Sequence, residues 1–404
     1  MNTVRWRRSA AVLVGMMIGA GAPGLAQTSS KWLQGLKDPT EHDIKVARQG
    51  YFFAGGRYFT AADGQMYMTD QMYVEYQIPK ELTRPYPIVL IHGGGLTGTY
   101  MMGTSDDRPG WSTFFLANGY AVYVVDQTGR GKSANHTDVY GPTSRGNAPN
   151  LQQRFTAPEL YNLWPQAHLH NQWPGSGLIG DVTFDQFYAS EVQGIASAEV
   201  QQATMRAASA ALLDRIGPAI ILTHSQSGPY GWFIADARPQ LVKGILAVEP
   251  SGPPFYNSNQ IGAPTWFSEA TTLARAWGIT SIPITYAPAV TDPSQLASVL
   301  APPQRPDLVP CRRQTEPARQ LPTLKGIPIL ITAGEASYHA SYDHCTSQYL
   351  TQAGVKNTFV NLGDVGIHGN GHMQMIEKNN LEIAGFMTRW LEENVEKGVK
   401  VAKR

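Results

Sequence analysis

Two serines, Ser225 and Ser227, are separated by one residue in the stretch LTHSQSGP, Leu222 to Pro229. A serine hydroxyl attacks a carbonyl only when a neighbouring base takes its proton. The oxyanion that develops then needs amide donors aimed at it. The chain offers both kinds of partner. HGGG, His92 to Gly95, is a loop whose backbone can approach a substrate closely. GDVGIHGNGHMQM carries two histidines, His368 and His372. These residue types point to nucleophilic acyl transfer.

AIILTH runs straight into the turn, and GPYGWFIAD can start a helix. That is the setting of a nucleophile elbow, where a strained strand-to-helix turn lifts the serine oxygen out of the sheet. The positions two before and two after the nucleophile must be small. For Ser225 they are Thr223 and Ser227. For Ser227 they are Ser225 and Pro229, and the nucleophile sits further from the strand. Ser225 is the better candidate. Thr223 and Ser227 in place of glycine leave the bare motif weak, because a serine after a strand is also a common helix cap. The HGGG loop strengthens it. The amides of Gln226, next after the nucleophile, and Gly94 are the expected oxyanion donors.

The elements that must position these residues are legible as apolar runs. Gly50 to Pro79 reads as strands rich in aromatic and β-branched residues. YPIVLIH, AVYVVD, AIILTHS, GILAVEP, IPILITAGE and TFVNLG follow, nearly continuous in apolar character, as suits strands buried on both faces. Between them lie helical patterns, Ala196 to Ile216 ending at Gly217-Pro218, and Ile376 to Val395 at the close. The alternation predicts an α/β fold, a mostly parallel sheet flanked by helices. Two connections, 135–195 and 251–325, are too long for ordinary loops. They are expected as insertions capping the carboxyl ends of the strands, where open α/β sheets bind ligands.

In the chain order serine, acid, histidine, the base should follow the last strand. His372 is the candidate, and His368 is expected to shape the loop. Their spacing could suggest a metal pair on a helix, but Gly369 and Gly371 lie between them and no HExxH is present. His339, His344 and Cys345 are too sparse a group to read as a zinc site, so no metal or other cofactor is expected. For the acid, α/β-hydrolase layouts favour the loop after IPILITAGE, which offers Glu335 or Asp343. The loop after GILAVEP offers Glu249 instead. The generic layout alone selects Glu335. Asp126, at the end of AVYVVD, is expected to fix the QTGRGKS turn through backbone hydrogen bonds.

A specific resemblance bears on this choice. HGGGLTGTY, DQTGRGKSA, THSQSG, VEPSG and HGNGHMQM, in this order, resemble a small family of secreted bacterial esterases of the α/β-hydrolase superfamily. GYFFAGG near the start is similar too. The likeness spans most of the chain after its first residues. It implies Ser225 as nucleophile, Glu249 as acid and His372 as base. Two departures stand out. Adjacent cysteines in the oxyanion loop of one member of that family are replaced here by Gly94-Gly95, and 251–325 is longer, so no substrate specificity is carried over. The expected function is a serine hydrolase cleaving carboxylic esters through an acyl-enzyme. Lactonases, thioesterases, peptidases, polyester hydrolases and acyltransferases use the same fold and triad, and a non-catalytic exported binding protein is the rival of a different class.

The remaining expectations concern location and partners. Arg5, Arg7 and Arg8, the short apolar run Ala10 to Ala22, and small residues before Gln27 read as a signal peptide over 1–26, cleaved after Ala26. The run is short for a membrane anchor. A single domain over 27–404, exported to periplasm or medium, follows. Export permits disulfides, and the two cysteines, Cys311 and Cys345, are predicted to pair. The net charge is +1, and Lys and Arg do not cluster beyond the first residues. That gives no electrostatic reason to expect nucleic acid or an anionic membrane as partner.

Overall fold

A computed structural model of the chain describes residues 30–400. The signal segment expected over 1–26 lies outside the described residues. Among the described residues no helix is long and apolar enough to cross a membrane.

Eight strands form the central sheet: β1 (Val46–Thr60), β2 (Met66–Pro79), β3 (Ile88–Ile91), β4 (Val122–Asp126), β5 (Ala219–His224), β6 (Val242–Val248), β7 (Ile329–Ala333) and β8 (Thr358–Asn361). Their order is β1-β2-β4-β3-β5-β6-β7-β8. β1 and β2 form an antiparallel hairpin, and β2 pairs antiparallel with β4. The rest of the sheet is parallel. Every apolar run read from the sequence is one of these strands.

Alternation explains why those runs are continuous. Ile88, Leu90, Ile220, Leu222, Leu246, Val248 and Leu330 pack into the core on one face. Val89, Ile91, Ile221, Ile245, Ala247, Ile329 and Ile331 pack into the core on the other. Both faces are covered, so both sets of side chains must be apolar. The first face is covered by α1 (Trp111–Ala117), by α2 (Val182–Ala189) from segment 135–195, and by α6 (Asn380–Asn394). The second is covered by α3 (Ala198–Ile216), α4 (Gly228–Ala237) and α5 (Asp343–Gln352). Ser197 caps α3 by accepting from the Val200 amide, and Gly217 ends it at φ 84°.

Register sets the level of the site. Val248 on β6 lies beside His224 on β5 and Thr332 on β7, and Ile91 on β3 lies beside Thr223. The residues that leave these strands therefore emerge together at the carboxyl edge of the sheet. Segment 135–195 touches the loops at that edge: Trp164 Nε1 donates to the Ala336 carbonyl, the Val192 amide to Gly95, and the Asn171 amide to Gly369. Segment 251–325 contributes two hairpins, Tyr256–Gly262 with Trp266–Leu273 and Ser298–Ala301 with Cys311–Gln314. Cys311 is bonded to Cys345 on α5, as the sequence predicts.

Candidate active site

Ser225 follows β5 directly and has φ 55°, in the left-handed region. A non-glycine residue held there costs roughly 1–3 kcal/mol and persists only when its surroundings over-determine it. They do so here. The Ser251 amide donates to the Ser225 carbonyl at 2.9 Å. α4 begins three residues later and fixes the exit of the turn. Ser227, the rival serine, is fully buried. Its Oγ accepts from the His224 amide and lies 2.9 Å from the carbonyls of Ile91 and His224, its possible acceptors. Its hydroxyl is spent tying the elbow to the end of β3. Ser225 remains partly exposed.

The structure brings His372 and Glu249 to Ser225. His372 Nε2 lies 3.0 Å from Ser225 Oγ, and His372 Nδ1 lies 2.5 Å from Glu249 Oε2. The carboxylate acceptor fixes the tautomer: Nδ1 carries the proton, and Nε2 is free to accept from the serine. Four rings surround the imidazole: Phe155 at 4.7 Å, His224 at 4.6 Å, His339 at 4.9 Å and Tyr338 at 5.0 Å between centroids. This burial pushes His372 far below the ordinary histidine value, so the resting ring is neutral and able to act as a base. The His224 Nε2–H donates to the His372 carbonyl at 3.0 Å, tying His372 to the residue before Ser225.

Glu249, just past β6, is fully buried and also has a positive φ, 48°. Burial raises its carboxyl, and hydrogen bonds from Gly334, Ser337 and Gln374 oppose that rise. Oε1 accepts from the Gly334 amide at 2.6 Å and Gln374 Nε2 at 2.9 Å. Oε2 accepts from Ser337 Oγ at 2.7 Å and from His372. Four donors on two oxygens are the pattern of an ionised carboxylate. The generic layout pointed elsewhere. Glu335 bonds His368 Nδ1 at 3.0 Å and the Gly369 amide at 2.9 Å, away from His372. Asp343 bonds His339 Nδ1 at 3.0 Å. Of the three candidate acids, Glu249 is the one in contact with His372. His368 shapes its loop as expected.

The glycine loop comes as close as its composition suggested. A Cβ on Gly93 would lie 3.0 Å from Ser225 Cβ and 2.8 Å from His224 Nδ1, tighter than side chains tolerate. Gly94 is exposed and faces Gln226, whose Oε1 would lie 3.5 Å from an added Cβ. Asp126 behaves as expected, with its carboxylate accepting from the amides of Lys132 and Gly98. His339, His344 and Cys345 fall in two groups, His339 with Glu249 and His372, and His344 and Cys345 with Cys311. Cys345 is consumed by the disulfide, and His339 is held by Asp343 and Tyr342.

Reading the sequence missed the supports of Glu249. Ser337 and Gln374 are polar residues close in sequence to Glu335 and His372, but nothing in their spacing marks them as ligands of a distant carboxylate. It also missed His170 and Glu377, whose contact spans 207 positions.

A sheet of this order with a serine elbow at the end of β5 defines an α/β hydrolase, and residues 88–385 match the "Alpha/beta hydrolase family". The chain belongs to that family. It is 46% identical over 346 residues, 85% of this chain and 89% of the other, to a protein of Fungal sp. (strain ATCC 74256) named "Probable secreted lipase phiG". In three dimensions it is similar to "The Atomic Resolution Structure of a Novel Bacterial Esterase". The TM-score there is 0.56 at 23% identity, covering 88% of this chain and 98% of that one.

Proposed function

We propose that the protein is an exported serine hydrolase of the lipase and esterase type, which cleaves carboxylic esters through an acyl-enzyme. The observation that carries this reading is the unbroken line Ser225 Oγ, His372, Glu249 at the strand ends, at 3.0 and 2.5 Å. The names of the fungal relative and of the similar bacterial structure agree with it, as does the resemblance to secreted bacterial esterases.

In this reading Ser225 attacks the ester carbonyl while His372 Nε2 takes its proton. Glu249 stabilises the imidazolium and holds its tautomer. The amides of Gly94 and Gln226 bind the oxyanion. His372 then protonates the leaving alkoxide, and the same residue activates the water that releases the acid. The chemistry calls on no group beyond these side chains and amides. Segments 135–195 and 251–325 act as the cap of one domain over 27–404, and Phe155 and Tyr338 give the base its dry setting. Residues 1–26 act as the export signal, delivering the chain to periplasm or medium.

Hydrolysis of a short p-nitrophenyl ester by the mature chain tests the reading, with Ser225→Ala and Ser227→Ala beside it. Turnover lost in Ser225→Ala together with organophosphate labelling of Ser225 is the expected result. Labelling that persists in Ser225→Ala would refute it.

A further inference from the structure

Arg130 lies in the QTGRGKS turn, and its side chain is used by none of the steps above. The residue is only 4% exposed. Among the described residues no carboxylate is in ion-pair contact with it, and its Nε has no hydrogen-bond partner. Burying an arginine without a paired anion is costly, so such a cation is rare unless something at the site uses it. One contact of the guanidinium is specific. Its Nη1 donates to the Gly93 carbonyl at 3.0 Å, and the His92 Nδ1–H donates to the same oxygen at 2.8 Å. The peptide is trans and planar, so the Gly94 N–H points opposite to the Gly93 carbonyl. Pinning that carbonyl towards Arg130 aims the Gly94 amide the other way. A carbonyl bonded to a cation also polarises its own peptide and strengthens the N–H on the far side.

We propose that Arg130 is a positioning residue for the oxyanion hole: its buried guanidinium fixes and polarises the Gly93–Gly94 peptide, and its charge finds its counter-ion in the oxyanion formed during acyl transfer. The proposal rests on the serine-hydrolase reading. The surroundings keep the guanidinium in place. The Arg130 amide donates to the Gln127 carbonyl at 3.0 Å and the Ser133 amide to the Arg130 carbonyl at 2.7 Å, which locks the turn. Gly194, from the first insertion, covers the side chain so closely that a Cβ there would lie 2.2 Å from Arg130 Nε. The fields of Tyr230 and then Glu191 reach the guanidinium, and burial pushes the Glu191 carboxyl up to about 7, which weakens it as a competing anion. Glu191 reaches the other end of the same loop, against Gly95. The loop thus lies between a cation at its start and a carboxyl raised by burial at its end.

The test is Arg130→Met and Arg130→Lys in the mature chain, read with a p-nitrophenyl ester and with a trifluoromethyl ketone that forms a tetrahedral adduct on serine. Arg130→Met is expected to lower kcat by about 100-fold, in the range of losing one oxyanion donor. KM should stay within about threefold, and ketone affinity should fall in proportion to kcat/KM. Arg130→Lys, which keeps the charge, should recover at least tenfold of that loss. A kcat for Arg130→Met within about threefold of the parent overturns the proposal, as does a loss carried by KM with ketone affinity unchanged. If Arg130→Met does not fold, Arg130→Gln replaces it, and equal kcat in the Gln and Lys variants overturns the role of the charge. A parent chain without organophosphate labelling at Ser225 means that the underlying reading has failed, a result distinct from any of these.

Discussion

His372 and His170 are both buried, both touch a fully buried glutamate, and sit on neighbouring segments tied by backbone hydrogen bonds. Their electrostatics are opposite. His372 has a carboxylate on Nδ1 alone, and its Nε2 faces a hydroxyl. His170 has a carboxylate on each nitrogen, Glu159 at 2.7 Å and Glu377 at 3.1 Å. Both carboxylates accept, so both ring nitrogens must donate, and His170 is an imidazolium. Burial opposes that charge, but the hydrogen bonds and fields of Glu159 and Glu377 win and raise it to about 9. A histidine beside a buried carboxylate is therefore no signature of catalysis. What separates the two is the second nitrogen: facing the Ser225 hydroxyl in one, spent on an ion pair in the other.

The locked pair supports the mobile-proton pair. Glu377 also accepts from the Gly371 amide at 2.8 Å and from Asn370 Nδ2 at 2.7 Å, the two residues preceding His372. Lys378 donates its amide to the Gln172 carbonyl on the far side. Segment 135–195 thus braces the loop that carries His372.

The comparison breaks most visibly at the open nitrogen. Ser225→Ala removes the group that Nε2 serves, and kcat should fall by about 10⁶ if the serine-protease template transfers. Near-parental turnover would mean that Nε2 serves something else. Glu249→Gln comes next. Its amide would donate towards Nδ1 and force the wrong tautomer, which in the template costs about 10⁴ in kcat. A loss below tenfold would show that the four-donor cradle of Glu249 has only a structural role.

His170→Gln tests the locked side, and here the measurement is stability against pH. A histidine whose folded value is raised contributes stability that is complete below its unfolded value of about 6.5 and is lost as pH rises through the folded value. With the folded value about 9, the window runs from pH 6.5 to about 9. The contribution is of order 3 kcal/mol at its low-pH end. The gap in Tm between parent and His170→Gln should be widest near pH 6 and narrow steadily towards pH 9.5. Turnover should drop by about tenfold with the organophosphate still reaching Ser225. A gap constant across that range would mean that His170 is neutral.

Much of this is legible in the amino-acid sequence, for a physical reason. Strands buried on both faces must be mostly apolar, so β3 to β7 announce themselves as runs, while β8 at the sheet edge is only half-buried. The turn at Ser225 sits where such a run meets small residues, and His372 sits in a glycine-rich loop that cannot be helical. Local constraints of this kind leave local marks. The acid did not, because β6 and β7 are neighbours and both end in a glutamate-bearing loop, Glu249 and Glu335. Which of them reaches His372 depends on the turn each residue makes after its strand. The positive φ of Glu249 that turns it inward has no signature in AVEPSG beyond the proline that follows. The resemblance to the secreted esterases selected it where spacing did not. The His170 brace left still less trace, since its parts are single residues on three separate segments.

Among the described residues His368 is the third histidine in contact with a glutamate, Glu335, and its contact is the most exposed. The His368 side chain is 63% exposed and that of Glu335 23%, so water screens the contact, and pairs of this kind contribute at most about 1 kcal/mol. Glu335 does a second task by accepting from the Gly369 amide, and a glutamine oxygen can accept the same bond. Glu335→Gln should therefore leave kcat and KM within about threefold of the parent and shift Tm only slightly. The ratio of the two variants carries the weight. If Glu249→Gln loses thousands-fold and Glu335→Gln almost nothing, burial and cradle decide which carboxylate orients the base. If Glu335→Gln loses more, His372 takes its orientation from the loop that Glu335 holds, and the contact at 2.5 Å is not the one that matters for turnover.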